Sequence, residues 1–303
     1  MLEHTTTSAR LLTLPATLRG FQIRGMTTRR QFLATAGAGL GVLACRNPLL
    51  AQLAPSEKLS RIGIQLYTVR SLMSKDFEGT LAELARIGYS EVEFAGYFNR
   101  TPAQVRAVLA ANKLTAPSTH VGFPPSEASW KQTLEQSKEI GHEWVTIPSL
   151  DAAMRKTADD WKRTAERFNQ IGAVAQQSGL RVAFHNHDTE LAPVGGTNGL
   201  ELLLNGTDPK LVDFEMDIYW VVKGGGDPLD LLVRHPGRFV LFHAKDSTAA
   251  PEKKMVDVGA GTIDFAKIFA RAKPKHVFVE HDQPADALDS ARASYRALSR
   301  LSF

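Results

Sequence analysis

The sequence predicts an α/β fold, a (β/α)8 barrel built from eight strand–helix units. From Ser60 onward, short apolar runs alternate eight times with longer segments of helical periodicity. Near-continuous apolar strands that alternate with helices are typical of a parallel sheet covered on both faces. Eight such units within about 250 residues match the size of a closed barrel. We therefore expect a single barrel domain after the N-terminal segment.

The individual elements follow from periodicity and from capping residues. The predicted strands are 61–69, 91–96, 114–122, 144–149, 180–186, 212–220, 238–245 and 276–281. The predicted helices are 76–88, 102–113, 126–141, 157–179, 197–205, 227–234, 263–273 and 285–301. Thr101 and Pro102 are the N-cap and the first residue of the second helix. Gly88, Gly141 and Gly179 each follow a helical segment, as C-cap glycines do.

An open, doubly wound parallel sheet is the alternative fold. That fold calls for a Gly-x-Gly-x-x-Gly turn after an early strand, and this sequence has none. Gly224-Gly225-Gly226 follows the sixth strand but lacks the Lys-Ser/Thr of a phosphate-binding loop. We interpret these three glycines as an ordinary loop, and the barrel remains the prediction.

Composition and charge exclude several classes of protein. With 43% hydrophobic and 22% charged residues, the chain is neither largely disordered nor collagen-like. A single Cys excludes a disulfide framework and a Cys-rich zinc module. Six Arg against one Glu lie within residues 1–51, so the remaining 252 residues hold 30 basic and 31 acidic side chains. The barrel therefore lacks the excess of basic side chains that binding to a nucleic-acid backbone requires.

The N-terminus has the pattern of an export signal. Thr-Arg-Arg-Gln-Phe-Leu occupies 28–33, and an apolar run rich in Gly and Ala follows over 34–44. The Arg pair with Phe-Leu resembles a twin-arginine signal, and the apolar run is too short for a transmembrane span of about 20 residues. We predict a leader over 1–51, a barrel over 52–303, recognition by the twin-arginine export machinery and a periplasmic location. The alternative is a buried helix of a cytoplasmic enzyme.

The site of signal cleavage stays open. Small residues permit a cut after Ala44 or after Ala51. Val-Leu-Ala-Cys at 42–45 also resembles a lipoprotein box, in which Cys45 would carry the lipid anchor. A chain cut after Ala51 has no cysteine, as suits an oxidising compartment.

Titratable and polar side chains cluster at the ends of the predicted strands. In a barrel those ends meet at one rim, where catalytic residues lie. The candidates at the rim are Gln65, Tyr67, Glu93, His120, His185, His187, Asp217, Trp220, His243, Lys245 and Glu280. Taken singly, a buried His is commonly a hydrogen-bonded core residue and Asp217 is a candidate helix cap. Together at equivalent strand ends they predict a functional site.

Four of these residues form a candidate metal site. His185, Asp217, His243 and Glu280 end the fifth to eighth strands at similar offsets. Imidazole and carboxylate are ligands for Zn, Mn, Fe or Co. We predict one divalent ion, of undetermined identity, bound by these four side chains.

Several motifs resemble one known family over residues 61–302. They are Gly63–Thr68, Phe184-His185-Asn186-His187-Asp188, Met216-Asp217, His243-Ala244-Lys245-Asp246, Gly259–Asp264 and Val279-Glu280. The chain resembles the sugar phosphate isomerase/epimerase group of xylose isomerase-like TIM barrels, a group related to endonuclease IV. The resemblance implies a metal held by Glu, Asp, His and Glu, the last three matching Asp217, His243 and Glu280. His185 stands in place of the first Glu, which departs from the paired-glutamate chemistry of the epimerases.

The resemblance implies a metal-dependent isomerase or epimerase that removes a proton next to the carbonyl of a sugar or keto-sugar. Glu280 would be the base, and His185, His187 or Lys245 the second proton carrier; Lys245 is also a candidate partner for a substrate oxygen. Gln65, Tyr67, Glu93, His120 and Trp220 are the predicted substrate-binding residues. A dehydratase or lyase acting on keto-sugars or 3-keto-glycosides uses the same enolate chemistry. A non-catalytic exported sugar-binding protein is the second alternative, and a homodimer stays open.

Overall fold

The computed structural model describes residues 57–303, in which eight parallel strands close into a barrel in chain order. The strands are β1 (Gly63–Gln65), β2 (Glu91–Phe94), β3 (Thr115–His120), β4 (Trp144–Ile147), β5 (Arg181–His185), β6 (Val212–Asp217), β7 (Phe239–Ala244) and β8 (His276–Val279). Each predicted apolar run contains one of them, and β1 pairs with both β2 and β8. The (β/α)8 barrel is therefore confirmed.

A helix follows every strand. The main helices are α1 (Phe77–Ile87), α2 (Pro102–Asn112), α3 (Glu127–Ile140), α4 (Ala158–Gln177), α5 (Gly199–Gly206), α6 (Pro228–Arg234), α7 (Phe265–Ala272) and α8 (Ala287–Arg300). Thr101 caps α2 in a capping box with Gln104. Gly88, Gly141 and Gly179 have φ angles of 123°, 101° and 79°, values that favour glycine at helix ends. The predicted helices are confirmed, and so are the C-caps Gly88 and Gly141, whereas the C-cap of α4 is Ser178 and Gly179 follows it.

Two of the apolar runs turn into helix sooner than predicted. The run that starts at β1 becomes a 3-10 helix over Leu66–Val69, and the run that starts at β6 becomes an α-helix over Ile218–Lys223. In each case the last strand residue caps the turn: Gln65 accepts from the Tyr67 N–H, and Asp217 accepts from the Trp220 N–H at 3.0 Å. These caps explain why the strands stop at the rim.

The barrel interior is built in layers that change character towards the rim. Four fully buried side chains from β4, β5, β7 and β8 form an apolar layer: Trp144, Ala183, Leu241 and Phe278. Because side chains two positions apart share one face of a strand, the next layer of the same strands holds Thr146, His185, His243 and Glu280. Gln65, Glu93, Ser118 and Glu215 are fully buried on the other four strands. The layer nearest the rim is thus polar around the whole barrel.

The predicted leader, with its Arg pair and Cys45, lies outside the described residues. Between residues 57 and 303, no helix combines the length and the apolar character that a membrane crossing requires.

A buried histidine away from the rim makes the stability of the fold depend on pH. His142 donates from Nδ1 to the Ala116 carbonyl at 2.6 Å, and its Nε2 lies 3.0 Å from the Tyr97 hydroxyl. Burial lowers the pKa of His142 to about 4. Between pH 6.5 and 4 the unfolded chain therefore binds a proton that the folded chain does not, so the free energy of unfolding falls as the pH falls through this window.

We expect this effect to be visible in urea unfolding of wild type and His142→Asn at pH 7 and pH 5. The loss of stability on acidification should be smaller in the variant by about 2 kcal/mol, because Asn does not titrate. Equal losses in the two proteins would show that the His142 pKa is not lowered.

Candidate active site

The rim side chains form two clusters joined by one histidine. The inner cluster comprises Glu93, His120, His185, Glu215 and His243. The mouth cluster comprises Asp217, Lys245, Glu280, Asp282 and, again, His243. The ring of His243 lies between them, with Nε2 at 2.7 Å from Glu93 Oε2 and Nδ1 at 2.6 Å from Glu280 Oε2. Strands β2, β3 and β5–β7 supply most of these residues, and Lys245, Glu280 and Asp282 follow the ends of β7 and β8.

The inner cluster is organised around a single carboxylate oxygen. Glu215 Oε2 lies 2.8 Å from His120 Nε2, 3.0 Å from His185 Nδ1 and 3.2 Å from His243 Nε2. Burial raises the pKa of Glu215, but His243 and His120 outweigh burial and hold it well below the ordinary value. The carboxylate is therefore ionised and provides a counter-charge for the imidazoles around it.

The pKa values of the other residues of the inner cluster are shifted in different directions. Burial and the nearby Glu215 raise the pKa of Glu93. Burial lowers the pKa values of His120 and His243, but the surrounding glutamates outweigh it and raise both. For His185, burial and His243 lower the pKa well below its usual range, which keeps this ring neutral.

Glu93 is also fixed by two neighbours on adjacent strands. Gln65 Nε2 donates to Glu93 Oε2 at 2.8 Å, and the Ser118 hydroxyl donates to Oε1. Both polar groups of the Gln65 amide are thus used, since Oε1 accepts from the Tyr67 N–H. Gln65 and Glu93, predicted to bind substrate, are fully buried beneath the residues that line the cavity.

The mouth cluster is organised around the Lys245 ammonium. Its Nζ lies 3.0 Å from Asp217 Oδ2, 2.8 Å from Glu280 Oε2 and 2.7 Å from Asp282 Oδ1. Burial raises the pKa of Glu280, but Lys245 and His243 outweigh it and hold it well below the ordinary value. Burial raises the pKa of Asp217 to about 6. Glu280 is therefore ionised at the edge of the cavity.

Asp246, which follows Lys245, holds the loop that contains Gly259, Gly261 and Ile263 against the end of β7. The buried carboxylate of Asp246 accepts hydrogen bonds from the backbone N–H groups of Ser247, Gly259, Gly261 and Ile263, at 2.8–3.2 Å. A side chain on Gly261 would meet Asp246 Oδ1 at 2.2 Å, so the close approach of this loop requires glycine. These bonds fix the backbone beside Lys245.

A cavity of about 490 Å³ opens over the two clusters. Its polar and aromatic lining includes Tyr67, His120, His185, His187, Lys245, Glu280 and Asp282. Burial and then Lys245 lower the pKa of His187 to about 4, so this ring is neutral. The Trp220 ring lies 5.5 Å from the His187 ring and 5.7 Å from Lys245 Nζ. The structure thus brings all the predicted catalytic residues to one cavity, with Trp220 beside it.

Two groups of donor atoms are suited to a metal ion. One comprises Asp217, His243 and Glu280, and the other comprises His120, His185, Glu215 and His243; within each group the donor atoms lie within 4.8 Å of one another. Asp217 Oδ2 is buried and accepts no well-aligned hydrogen bond from residues 57–303, although Lys245 lies nearby. This mixed His and carboxylate set fits a divalent ion. His185, predicted as the fourth ligand, has its Nε2 3.6 Å from Asp217 Oδ2.

Sequence reasoning missed Glu215 and Asp282. Glu215 stands two residues before Asp217 on β6, so the two-residue period of a strand places both on the inner face. That signal was available in the sequence. Asp282 follows Glu280 by the same interval, but it lies three residues past the end of β8, whereas Glu280 directly follows the strand, so the strand period no longer determines the direction of Asp282.

A comparison with protein families matches the model of the xylose isomerase-like TIM barrel over residues 81–298. The chain belongs to this family. The match spans most of the described barrel and confirms the predicted resemblance to xylose isomerase-like TIM barrels.

Individual proteins that are similar to this chain support the family assignment. Inosose dehydratase from Geobacillus kaustophilus is 24% identical over 229 residues, which cover 63% of this chain and 74% of the relative. A sugar phosphate isomerase/epimerase from Parabacteroides distasonis is 26% identical, with a TM-score of 0.71 over 80% of this chain and 98% of that one. These relatives identify the chain as an enzyme.

Two more distant structures share the fold. A 3-keto-D-glucoside 4-epimerase from E. coli is 17% identical, with a TM-score of 0.63 over 78% of this chain and 98% of that one. The IolI protein, in a structure with a bound zinc atom, is 15% identical, with a TM-score of 0.64 over 78% and 96% of the two chains.

Proposed function

We propose that this enzyme is a divalent-metal-dependent sugar isomerase or epimerase that begins by removing a proton next to a carbonyl. The observation that carries the proposal is the Glu280 carboxylate, which lines the cavity, is held ionised, and shares a metal-suited donor group with Asp217 and His243. The similarity to a sugar phosphate isomerase/epimerase supports the substrate class.

The metal would be held by Asp217, His243 and Glu280, with His185 beside them. A bound divalent ion supplies Lewis-acid stabilisation of the negative charge that develops on a carbonyl oxygen. The zinc atom in the related IolI structure supports a metal in this fold, and the identity of the ion in this chain is left to measurement.

The side chains of the chain itself bind the sugar and move its protons. Glu280 accepts the proton from the carbon next to the carbonyl, since it is ionised and reaches the cavity. His185 and His187 are neutral rings on the same cavity, so either can accept a proton from the substrate or relay one to it from water or from the protonated Glu280. The Lys245 ammonium faces oxygen atoms of the bound sugar, and Tyr67 and Trp220 provide aromatic walls for its ring.

A dehydratase or lyase is the second candidate, and the relatives favour it specifically. Inosose dehydratase matches over 74% of its own length. A 3-keto-D-glucoside 4-epimerase shares the fold, which keeps 3-keto-glycosides among the candidate substrates. In this reaction the proton removal is the same, but the proton that Glu280 has accepted is passed through an imidazole to the departing β-hydroxyl or glycosidic oxygen instead of returning to carbon.

The test starts with metal analysis of residues 52–303 and of an Asp217→Ala/His243→Ala variant. We expect about one divalent ion per chain in the wild type and a loss of that ion in the variant. The metal-loaded enzyme is then incubated in D₂O with keto-sugars and 3-keto-glycosides. Deuterium at the carbon next to the carbonyl indicates proton removal, and the product separates epimerisation from elimination. Absence of metal and of exchange, with sugar binding retained after chelation, would favour a non-catalytic sugar-binding protein.

We also propose that the enzyme is exported by the twin-arginine machinery to the periplasm, on the basis of the sequence over 28–44. Cell fractionation of a tagged chain tests this, and Arg29→Lys/Arg30→Lys should retain the protein in the cytoplasm. Release of the protein by detergent alone, dependent on Cys45, would indicate a lipid anchor.

Sedimentation of the purified enzyme tests whether it forms a homodimer.

A further inference from the structure

Lys245 occupies the place of a cation at the centre of the mouth cluster. Its ammonium contacts Asp217 Oδ2 and Glu280 Oε2, two of the three donors that would bind the metal. The Lys245 side chain is 1% exposed, and Asp217 and Glu280 are buried with it. Lys245 provides a counter-charge for both buried carboxylates, and His243 provides a second one at Glu280.

A metal ion bound to the same two oxygens would place a second cation close to this ammonium, which lies 2.8–3.0 Å from both of them. A carboxylate oxygen can bind an ion and accept a hydrogen bond at once, but two cations so close together in a buried site repel one another strongly. Metal binding therefore favours displacement of Lys245 from Asp217 and Glu280.

Asp282 is placed to receive the displaced ammonium. Its Oδ1 already lies 2.7 Å from Nζ, its side chain is 26% exposed, and it lines the cavity. Asp282 belongs to neither group of metal-suited donors. Because Asp246 fixes the adjoining backbone through four hydrogen bonds, the displacement has to occur by rotation of the Lys245 side chain.

We propose that Lys245 and the metal exchange places: the ammonium neutralises Asp217 and Glu280 in the metal-free enzyme, and metal binding transfers it onto Asp282, where it faces the substrate cavity. This inference rests on the proposed function, since it takes Asp217 and Glu280 as metal ligands. It makes Lys245 and Asp282 determinants of metal affinity, although neither binds the ion.

The first experiment measures Mn²⁺ affinity from the EPR signal of the free ion, without substrate. Lys245→Met should bind Mn²⁺ more tightly, by on the order of tenfold or more, because the competing charge is gone. Asp282→Asn should bind it more weakly, because the displaced ammonium loses its partner. In Lys245→Met/Asp282→Asn, the Asp282 substitution should have no further effect. Lys267→Met, which removes an exposed lysine paired with Asp264, is the matched control and should leave affinity unchanged.

The second experiment follows Lys245 itself by reductive methylation and mass spectrometry. In the metal-free wild type Lys245 should be protected, and saturating Mn²⁺ should make it several-fold more reactive while Lys267 does not change. Mn²⁺ binding with equal affinity in wild type and Lys245→Met, and unchanged Lys245 labelling, would overturn the exchange and leave the metal-dependent function intact. Failure of both wild type and Lys245→Met to bind Mn²⁺ would overturn the exchange and the proposed Asp217/Glu280 metal site together.

Discussion

Replacing Glu280 with Gln should lower kcat by about 10²–10⁴-fold, because the amide cannot accept the substrate proton. Gln keeps the size of the side chain and can still accept hydrogen bonds from Lys245 and His243, so the barrel should fold. The measurement is deuterium exchange and turnover on the best substrate found, together with a melting curve. Glu252→Gln, at an exposed position, is the matched control.

Metal content has to be measured in the same samples, since Glu280 is also a proposed metal ligand. Exchange that is lost while the ion is retained assigns the proton transfer to Glu280 itself. Full activity in Glu280→Gln would end its role as the base. Loss of activity with loss of the ion would be resolved by reloading the variant with excess metal before the assay.

Replacing Glu215 with Ala should destabilise the enzyme by about 3–5 kcal/mol, because it removes one partner of a buried charged cluster. Glu215 Oε2 is the shared neighbour of His120, His185 and His243; His185 and His243 are buried with it, and His120 lies largely buried in the cavity wall. Urea unfolding at pH 7 measures the change. Glu139→Ala, at an exposed position on α3, should have little effect.

Glu215→Gln provides a second, milder variant for the case in which Glu215→Ala does not fold. The amide oxygen still accepts a hydrogen bond, but the negative charge that raises the pKa values of His120 and His243 is lost. We expect the two imidazole pKa values, followed by NMR, to fall in this variant. Unchanged pKa values would show that the inner cluster does not depend on the Glu215 charge.

The sequence predicts the barrel well because its strands and helices are local patterns. Apolar runs, helical periods and capping residues such as Thr101 each lie within one element, and eight repeats leave few ways to arrange them. The ends of the runs over 61–69 and 212–220 were predicted less well. Gln65 and Asp217 each cap a turn with their own side chain, which stops the strand while the sequence remains apolar.

The site was predictable as a set of residues at one rim, but not as a network of contacts. His185, Asp217, His243 and Glu280 end neighbouring strands, so a closed barrel brings them together. Which atoms meet depends on the register between strands and on the rotamers, and neither is encoded locally. Only the structure shows that Lys245 lies between Asp217 and Glu280, and that Glu215 gathers three imidazoles around one oxygen.

The polar layer beneath the rim makes this enzyme less stable than its fold allows. Aliphatic side chains would fill the positions of Ser118 and Thr146 without the cost of burying hydroxyl groups, and replacing buried ionic groups with apolar ones of similar volume is often neutral or stabilising. Selection for heat resistance alone would therefore tend to replace the buried polar residues of the site with apolar ones. A more heat-resistant variant that still works should gain its stability on the outer helices, for instance through α4 or α8, and leave the interior layer untouched.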